Sequence, residues 1–333
     1  MEQMQILLAI LVLLPFVSAL LLALCGSDRM RRLVVYGSAG VLMISAVAFA
    51  VCFFSGENLQ LRFLQSGGII DHTMLALEAG FAVLITVLSI KYRRYYVAVL
   101  SIVQTVLTFV YELGGYKPAV QPYNLFTDQL TVIMVLIIAV VGTLITVYAV
   151  GYMRDYHNHH KEYTDRRRFF FAMLYVFLGA MFGLVLSNSL LWLYFFWEIT
   201  SLVSFLLIGY TRTKEAVQNS FRALWMNLLG GLGFAAAIFW AGVRFGITDL
   251  QSLILCDGKL VVAPVILLAF AGMMTGIFLI LGMTPFTFAE ELTKPLSGRR
   301  QPISKRIQQV NHPKEPKGIR KTVLEAREML ILT

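Results

Sequence analysis

Residues 190–208 read LLWLYFFWEITSLVSFLLI, nineteen residues with one charged side chain, Glu198, at the ninth position. The hydrocarbon core of a bilayer is about 30 Å thick and an α-helix rises about 1.5 Å per residue, so about twenty apolar residues cross it. Apart from Glu198, this stretch has the composition of an ordinary membrane span. It therefore predicts a transmembrane helix with one carboxyl near its middle.

Glu198 is energetically costly at this position. An ionised acid at the centre of a span costs roughly 2.5–3.5 kcal/mol on insertion scales, and such residues usually face a protein interior or a water-filled cavity, where they serve ion or proton movement. The alternative is a protonated Glu198 that forms a hydrogen bond to a neighbouring helix and serves packing alone.

The whole chain is strongly apolar, with 58% hydrophobic and 14% charged residues among 333. Ordinary soluble domains contain about 25% charged residues. The composition therefore predicts an all-α polytopic bundle of transmembrane helices. Long apolar runs predict nine spans, at Met4–Leu24, Leu33–Phe54, Thr73–Ile90, Tyr95–Leu113, Leu125–Val150, Phe169–Ser187, Leu190–Ile208, Ala223–Val243 and Leu260–Leu281.

The basic residues predict the orientation of these spans. Loops one, three, five and seven contain fourteen Lys and Arg residues, whereas loops two, four, six and eight contain four. Because short loops rich in Lys and Arg stay on the cytoplasmic side, we expect the N-terminus outside and the C-terminus inside. The net charge of +9 is then a topology signal that also suits anionic lipid, and it does not indicate nucleic-acid binding.

The cysteines and histidines predict neither a cofactor nor a metal. The three cysteines form no Cys-x-x-Cys, haem or iron–sulfur spacing, so we expect no redox centre in this chain. His157, His159 and His160 fall in the fifth loop among five basic residues. Nearby positive charge opposes cation binding, so a solvated basic loop is the favoured interpretation.

Two hydroxyl side chains share a helix face with Glu198. Tyr194 lies four residues before it and Ser201 three residues after it, and that spacing places all three on one side of a helix. A hydroxyl can relay or stabilise a proton, so the stripe makes Glu198 a candidate proton-transfer residue with Tyr194 and Ser201 as supporting residues.

Three other acids are weaker candidates. Glu78 is five residues inside the third predicted span and Glu112 is next to last in the fourth, so both are expected near an interface where a carboxylate reaches water. Asp128, near the start of the fifth span, is expected to stabilise the helix N-terminus rather than transfer protons.

The segments FLGAM at 177–181, FWEITSL at 196–202 and SFLLIGY at 204–210 resemble a known family. It comprises the antiporter-like membrane subunits shared by respiratory complex I (NADH-quinone oxidoreductase), Mrp-type Na⁺/H⁺ antiporters and membrane-bound hydrogenases. The resemblance covers roughly residues 125–281 and includes Asp128. It implies that Glu198 is the family's membrane glutamate, which exchanges protons and pairs with a lysine on a later broken helix. Thr200 and Ser201 belong to the same Trp-Glu-x-Thr-Ser core.

The chain departs from the family pattern after the ninth predicted span. Where the family has its lysine shortly before a Pro-Phe pair, residues 282–286 read GMTPF, and Pro285 occupies the expected lysine position. Residues 282–333 contain ten basic residues and five of the nine prolines, so they are predicted not to span the membrane. Three explanations stay open: a frameshifted or prematurely ended gene, a natural short paralogue, and a specialised docking tail.

The sequence thus predicts N-terminal transmembrane helices at 1–124, an antiporter-like core at 125–281 and a polar, basic cytoplasmic tail at 282–333. The expected role is a proton-translocating or antiporter-type subunit of a larger complex in the inner (plasma) membrane. Its expected partners are the lipid bilayer, other membrane subunits and protons, with Na⁺ as a second candidate ion. The alternative is a truncated or specialised structural subunit that anchors or assembles such a complex without transporting ions.

Overall fold

The computed structural model describes residues 2–55, 61–65, 69–114 and 123–255. Within them, eight helices are long and apolar enough to cross a membrane, which confirms the multi-pass all-α prediction. The ninth predicted span and the 282–333 tail lie outside the described residues. The helices are α1 (Glu2–Leu24), α2 (Asp28–Phe54), α3 (Ile69–Lys91), α4 (Tyr95–Leu113), α5 (Gln129–Ile137), α6 (Thr143–His159), α7 (Arg167–Leu186), α8 (Leu190–Ile208), α9 (Lys214–Phe245) and the short α10 (Leu250–Leu255).

Several helices begin before the apolar run that predicted them. Helix α8 has the predicted bounds, but α9 begins at Lys214 and not Ala223. Its N-cap is Thr213, whose side chain accepts a hydrogen bond from Ala216 N at 3.1 Å. A capping hydroxyl satisfies a backbone N–H of the first turn, so a polar first turn is stable there. A search for apolar runs does not detect such turns.

The fifth span is one long segment with an irregular middle. Helix α5 begins after Asp128, whose side chain accepts a hydrogen bond from Thr131 N at 2.7 Å, so Asp128 is the N-cap expected from the sequence. A π-helical turn, Ile138–Gly142, joins α5 to α6. Such turns insert one residue into a helix without ending it, so residues 129–159 form a single candidate span.

A two-stranded antiparallel sheet joins the second and fourth loops. The sequence analysis did not predict it. Strand β1 (Leu61–Gln65) pairs with β2 (Tyr123–Thr127), with Leu61 opposite Thr127 and Gln65 opposite Tyr123. Asn188 in the sixth loop donates from Nδ2 to Tyr123 O at 2.9 Å. Leu190 N donates to Thr248 O in the eighth loop at 3.0 Å. The four even-numbered loops therefore meet on one face of the bundle.

The odd-numbered loops meet on the opposite face. Arg168 donates to Gly26 O of the first loop at 3.3 Å, and Arg166 donates to Tyr210 O of the seventh at 3.2 Å. In the third loop, Tyr92 packs its ring against Phe221 near the start of α9. The structure thus groups the basic loops together, as the charge pattern predicts. That this face is the cytoplasmic one stays a prediction.

Adjacent helices approach closely at several glycines, among them Gly183 and Gly242. A Cβ added at Gly183 of α7 would lie 2.3 Å from Phe196 Cζ on α8, and one at Gly242 of α9 would lie 2.1 Å from Tyr111 Cε2 on α4. Interiors are packed so densely that any larger side chain there displaces a neighbour. These contacts fix α7 against α8, close to Glu198, and α4 against α9.

Helices α3, α4, α8 and α9 share one buried apolar cluster. Its members include Ile85 of α3, Val97 of α4, Phe205 of α8 and Phe221 of α9. This packing holds the second half of α8 against α9 on the side of the basic loops, and α9 in turn packs against α4.

Membrane topology can be tested by cysteine labelling. In a variant without the three native cysteines, Thr164→Cys in the fifth loop is expected to react with an impermeant maleimide from the cytoplasmic side. Ser252→Cys in α10, on the even-loop face, is expected to react from outside, since positively charged loops stay in the cytoplasm. Both positions are exposed. Labelling of both sites from one side would contradict the predicted arrangement.

Candidate functional site

Glu198 lies in the middle of α8 and receives two hydrogen bonds. Tyr194 OH donates to Glu198 Oε1 at 2.7 Å, and Gln104 Nε2 of α4 donates to the same oxygen at 2.5 Å. Tyr194 is fully buried, and its position confirms the helical spacing predicted from the sequence. Because both bonds are made to Oε1, Oε2 is left able to carry a proton.

Gln104 is a site residue that the sequence analysis missed. Its side chain is 1% exposed, and among the described residues its Oε1 has no hydrogen-bond partner. A Cβ added at Gly231 of α9 would lie 3.2 Å from this oxygen, so Gln104 reaches from Glu198 to the α9 surface. The available signal was an amide in the middle of an apolar run, which is costly to bury unless it is paired.

A small cavity borders Glu198 between α4, α8 and α9. It has room for about one water molecule. Its polar lining includes Gln104, Trp197, Glu198, Ser201 and Asn227. Two buried atoms of this lining have no hydrogen-bond partner within the described part of the chain: the donor Trp197 Nε1 and the acceptor Gln104 Oε1. An unpaired donor and an unpaired acceptor together suit a water molecule better than a bare cation.

Glu78 is buried and does not reach solvent, whereas the sequence predicted a carboxylate that does. Helix α3 begins at Ile69, before the apolar run predicted at Thr73, and the Glu78 side chain is 1% exposed. Thr108 of α4 donates a short hydrogen bond to Glu78 Oε1. Glu78 also interacts electrostatically with Glu198, so the helix packing brings together two acids that are far apart in sequence.

The other predicted residues occupy different surroundings. Ser201 is 9% exposed and lines the cavity with Glu198. The Thr200 hydroxyl donates to Trp197 O of its own helix at 2.8 Å, so this hydrogen bond is not made to the Glu198 carboxyl. Glu112 is partly buried near the end of α4 and interacts electrostatically with Glu78. Asp128 caps α5, as described above.

The three histidines of the basic face each make their own contacts. His157 Nε2 lies 2.7 Å from Tyr210 OH, while His159 and His160 contact backbone oxygens of their own helix. No cluster of metal-ligand side chains occurs in the described ranges. Beside them, hydrogen bonds from the Arg167 guanidinium lower the pKa of Asp165 to about 2, so this carboxylate stays ionised at any physiological pH.

Two family models match separate parts of the chain, and the second part contains Glu198. Residues 121–170 match the N-terminal part of chain 5 of NADH-ubiquinone oxidoreductase (complex I). Residues 187–288 match the transmembrane family of NADH:quinone oxidoreductases and Mrp antiporters. By these two segments, which together are less than half of its 333 residues, the chain is similar to the antiporter-like membrane subunits. This antiporter-like subunit carries Tyr194, Glu198, Thr200 and Ser201 within the second matched segment.

Curated relatives of this antiporter-like subunit include Na⁺/H⁺ antiporter subunits A1. That of Staphylococcus haemolyticus (strain JCSC1435) is 28% identical over 193 residues, which are 58% of this chain and 23% of the relative. That of Staphylococcus aureus (strain JH9) is 25% identical over 232 residues, which are 65% of this chain and 28% of the relative. The chain thus spans about a quarter of the length of these relatives.

A solved structure shares the fold of this antiporter-like subunit. A chain of the membrane-bound sulfane sulfur reductase, an archaeal respiratory membrane complex, superposes with a TM-score of 0.51 and 16% sequence identity. The match covers 79% of this chain and 43% of that chain. Pro285, at the position where the resemblance implies a lysine, lies outside the described residues.

Proposed function

We propose that this antiporter-type subunit moves protons through Glu198 as part of a larger complex in the inner (plasma) membrane. The observation that carries the proposal is the position of the Glu198 carboxyl, between the Tyr194 and Gln104 donors and beside a polar cavity that fits one water molecule. Its partners would be other membrane subunits. Protons would be exchanged against Na⁺, as the names of the relatives suggest.

The chemistry requires only a carboxyl that can change its protonation state. A proton delivered by water in the cavity would form an O–H bond on Glu198 Oε2 and neutralise the carboxylate. Tyr194 and Gln104 would hold the carboxyl in place through Oε1 during loading and release. A carboxylate inside a low-dielectric bundle is stabilised by a nearby cation and destabilised without one, so a cation that approaches and withdraws would drive release and uptake.

The cation in this scheme would come from another part of the assembly or from a residue outside the described ranges. Within those ranges, no Lys or Arg forms an ion pair with Glu198. The resemblance implies a lysine on a later broken helix, and Pro285 occupies that position. We therefore expect proton transport from the assembled complex and not from this chain alone.

Carbodiimide modification tests whether Glu198 carries an exchangeable proton. Dicyclohexylcarbodiimide reacts with a protonated carboxyl in an apolar setting and converts it to a stable acylurea, which cannot bind a proton. In the purified complex, we expect an acylurea on the peptide containing Glu198. Na⁺-driven proton movement in proteoliposomes is expected to fall in proportion to that modification.

The exposed Glu215 provides an internal control, because its carboxylate faces solvent and should not react. Full modification of Glu198 with unchanged proton movement would leave only the structural, anchoring role. An unmodified Glu198 in an otherwise reactive complex would also count against the proposal, since an exchanging carboxyl must be protonated for part of its cycle.

A further inference from the structure

Helix α4 has a polar face that runs towards the even-numbered loops. Gln104, Thr108 and Glu112 are spaced four residues apart, so they lie on one side of the helix and advance about 6 Å per step. Gln104 and Thr108 are 1% and 2% exposed. A buried polar face in a membrane helix is expensive and must be paired within the protein.

The partners of this face are the two buried carboxyls. Gln104 Nε2 donates to Glu198 Oε1, and one helical turn further on Thr108 donates to Glu78 Oε1. Glu78 interacts electrostatically with Glu198 on one side and with Glu112 on the other. The polar groups therefore form a series that leads from Glu198, beside the cavity, to Glu112 near the end of α4.

The cavity and this series extend from Glu198 in opposite directions. The cavity lining includes Ile85, Ser201 and Leu224, which all lie from the site towards the basic-loop ends of their helices. Thr108 and Glu112 lie towards the even-loop end of α4. The cavity, with room for about one water molecule, thus lies on the basic-loop side of Glu198, and the polar groups of α4 lie on its other side.

We propose that Glu78 is a second proton-carrying group, linked to Glu198 by the polar face of α4, and that it gives protons a route to the face of the even-numbered loops. This inference rests on the proposed function of Glu198. Helices α3 and α4 precede the segments matched by the family models, residues 121–170 and 187–288, so the family match does not itself provide this route.

The transfer from Glu198 to Glu78 balances with one water molecule as the co-reactant, and this water would enter between Glu198 and Thr108, because Thr108 does not line the cavity. The O–H bond of protonated Glu198 breaks as water accepts that proton, and the water passes one of its protons to Thr108 Oγ1. Thr108 releases its own hydroxyl proton to Glu78 Oε1. Glu198 ends as the carboxylate and Glu78 as the acid, while water and Thr108 are unchanged.

A packing role alone accounts poorly for Glu78. No Lys or Arg of the described ranges forms an ion pair with it, and its charged neighbours are two further acids. Ionising both of two interacting carboxyls in a low-dielectric interior is unfavourable, so a single proton shared by Glu78 and Glu198 would be the favourable arrangement of the pair. That property serves proton transfer and adds little to packing.

The test uses the purified complex with Glu78→Gln or Thr108→Val. Each variant is expected to lower Na⁺-driven proton movement in proteoliposomes at least about tenfold, because the route beyond Glu198 is cut. Carbodiimide modification of Glu198 is expected to continue, since Glu198 is still loaded from the cavity. Thr108→Ser should restore transport, because serine keeps the hydroxyl.

Thr105→Val is the matched control, since Thr105 lies on the same helix and its hydroxyl bonds to Ser101 O of α4. Full transport by both Glu78→Gln and Thr108→Val would overturn the route while leaving the role of Glu198 intact. Equal losses in Thr108→Val and Thr108→Ser would also overturn it, because the hydroxyl would then not be the relay. If transport survives acylurea formation on Glu198, the proposed function fails and this inference fails with it.

Discussion

Glu198→Gln is expected to lower proton movement by the assembled complex about a hundredfold, to the level of empty vesicles. Glutamine keeps the shape of glutamate and can still accept the Tyr194 hydrogen bond, but it cannot gain or lose a proton near neutral pH. Assembly should therefore be close to normal. The measurement is Na⁺-driven proton movement in proteoliposomes, read with a trapped pH-sensitive dye and normalised to the amount of complex.

Two variants separate the loss of the proton from other effects of this substitution. Glu198→Asp keeps a carboxyl and is expected to retain part of the activity, reduced because the shorter side chain misplaces the acid. Glu215→Gln makes the same chemical change at an exposed position of α9 and should have no effect. Normal transport by Glu198→Gln would show that the carboxyl serves packing only.

Gly183→Leu is expected to prevent accumulation of the folded subunit. A Cβ at Gly183 would lie between 2.3 and 2.6 Å from three atoms of the Phe196 ring, and Phe196 is itself 5% exposed. Overpacking a dense interior costs about 1–3 kcal/mol for extra methylene groups, and a leucine here also pushes α7 away from α8. The measurement is the yield and Tm of the detergent-solubilised complex.

A second substitution should identify the clash as the cause. Phe196→Ala removes the ring, so the double variant Gly183→Leu/Phe196→Ala is expected to be more stable than the sum of the two single effects predicts. Gly151→Ala is the control, because an added Cβ at Gly151 meets no atom within 4 Å. If the effects of the two substitutions simply add, the clash with Phe196 is not the cause of the lost stability, and the prediction is wrong.

The spans could be predicted because the membrane imposes a simple rule on sequence. A helix must present about twenty apolar residues to lipid, and for α8 the apolar run and the helix have identical bounds. The rule fails where stability comes from polar groups. The first turn of α9 depends on the Thr213 cap. The β1–β2 sheet depends on pairing between segments far apart in sequence.

The site could be predicted only where it lies within one helix. The position of Tyr194 relative to Glu198 follows from helical periodicity, and the structure confirms their contact. The contacts of Gln104 and Glu78 depend on which helices are neighbours, which the apolar pattern of a single sequence does not specify. The burial of Glu78 likewise depends on the packing of α3 against α4.

The β1–β2 sheet closes the segment that contains α3 and α4. Leu61 opposite Thr127 and Gln65 opposite Tyr123 bring the two ends of the intervening segment together, so the chain that carries α3 and α4 begins and ends at nearly one point of the fold. The gain or loss of such a segment would add or remove Gln104, Thr108 and Glu78 in one event, and it would also cover or expose the faces of α8 and α9 on which α3 and α4 pack.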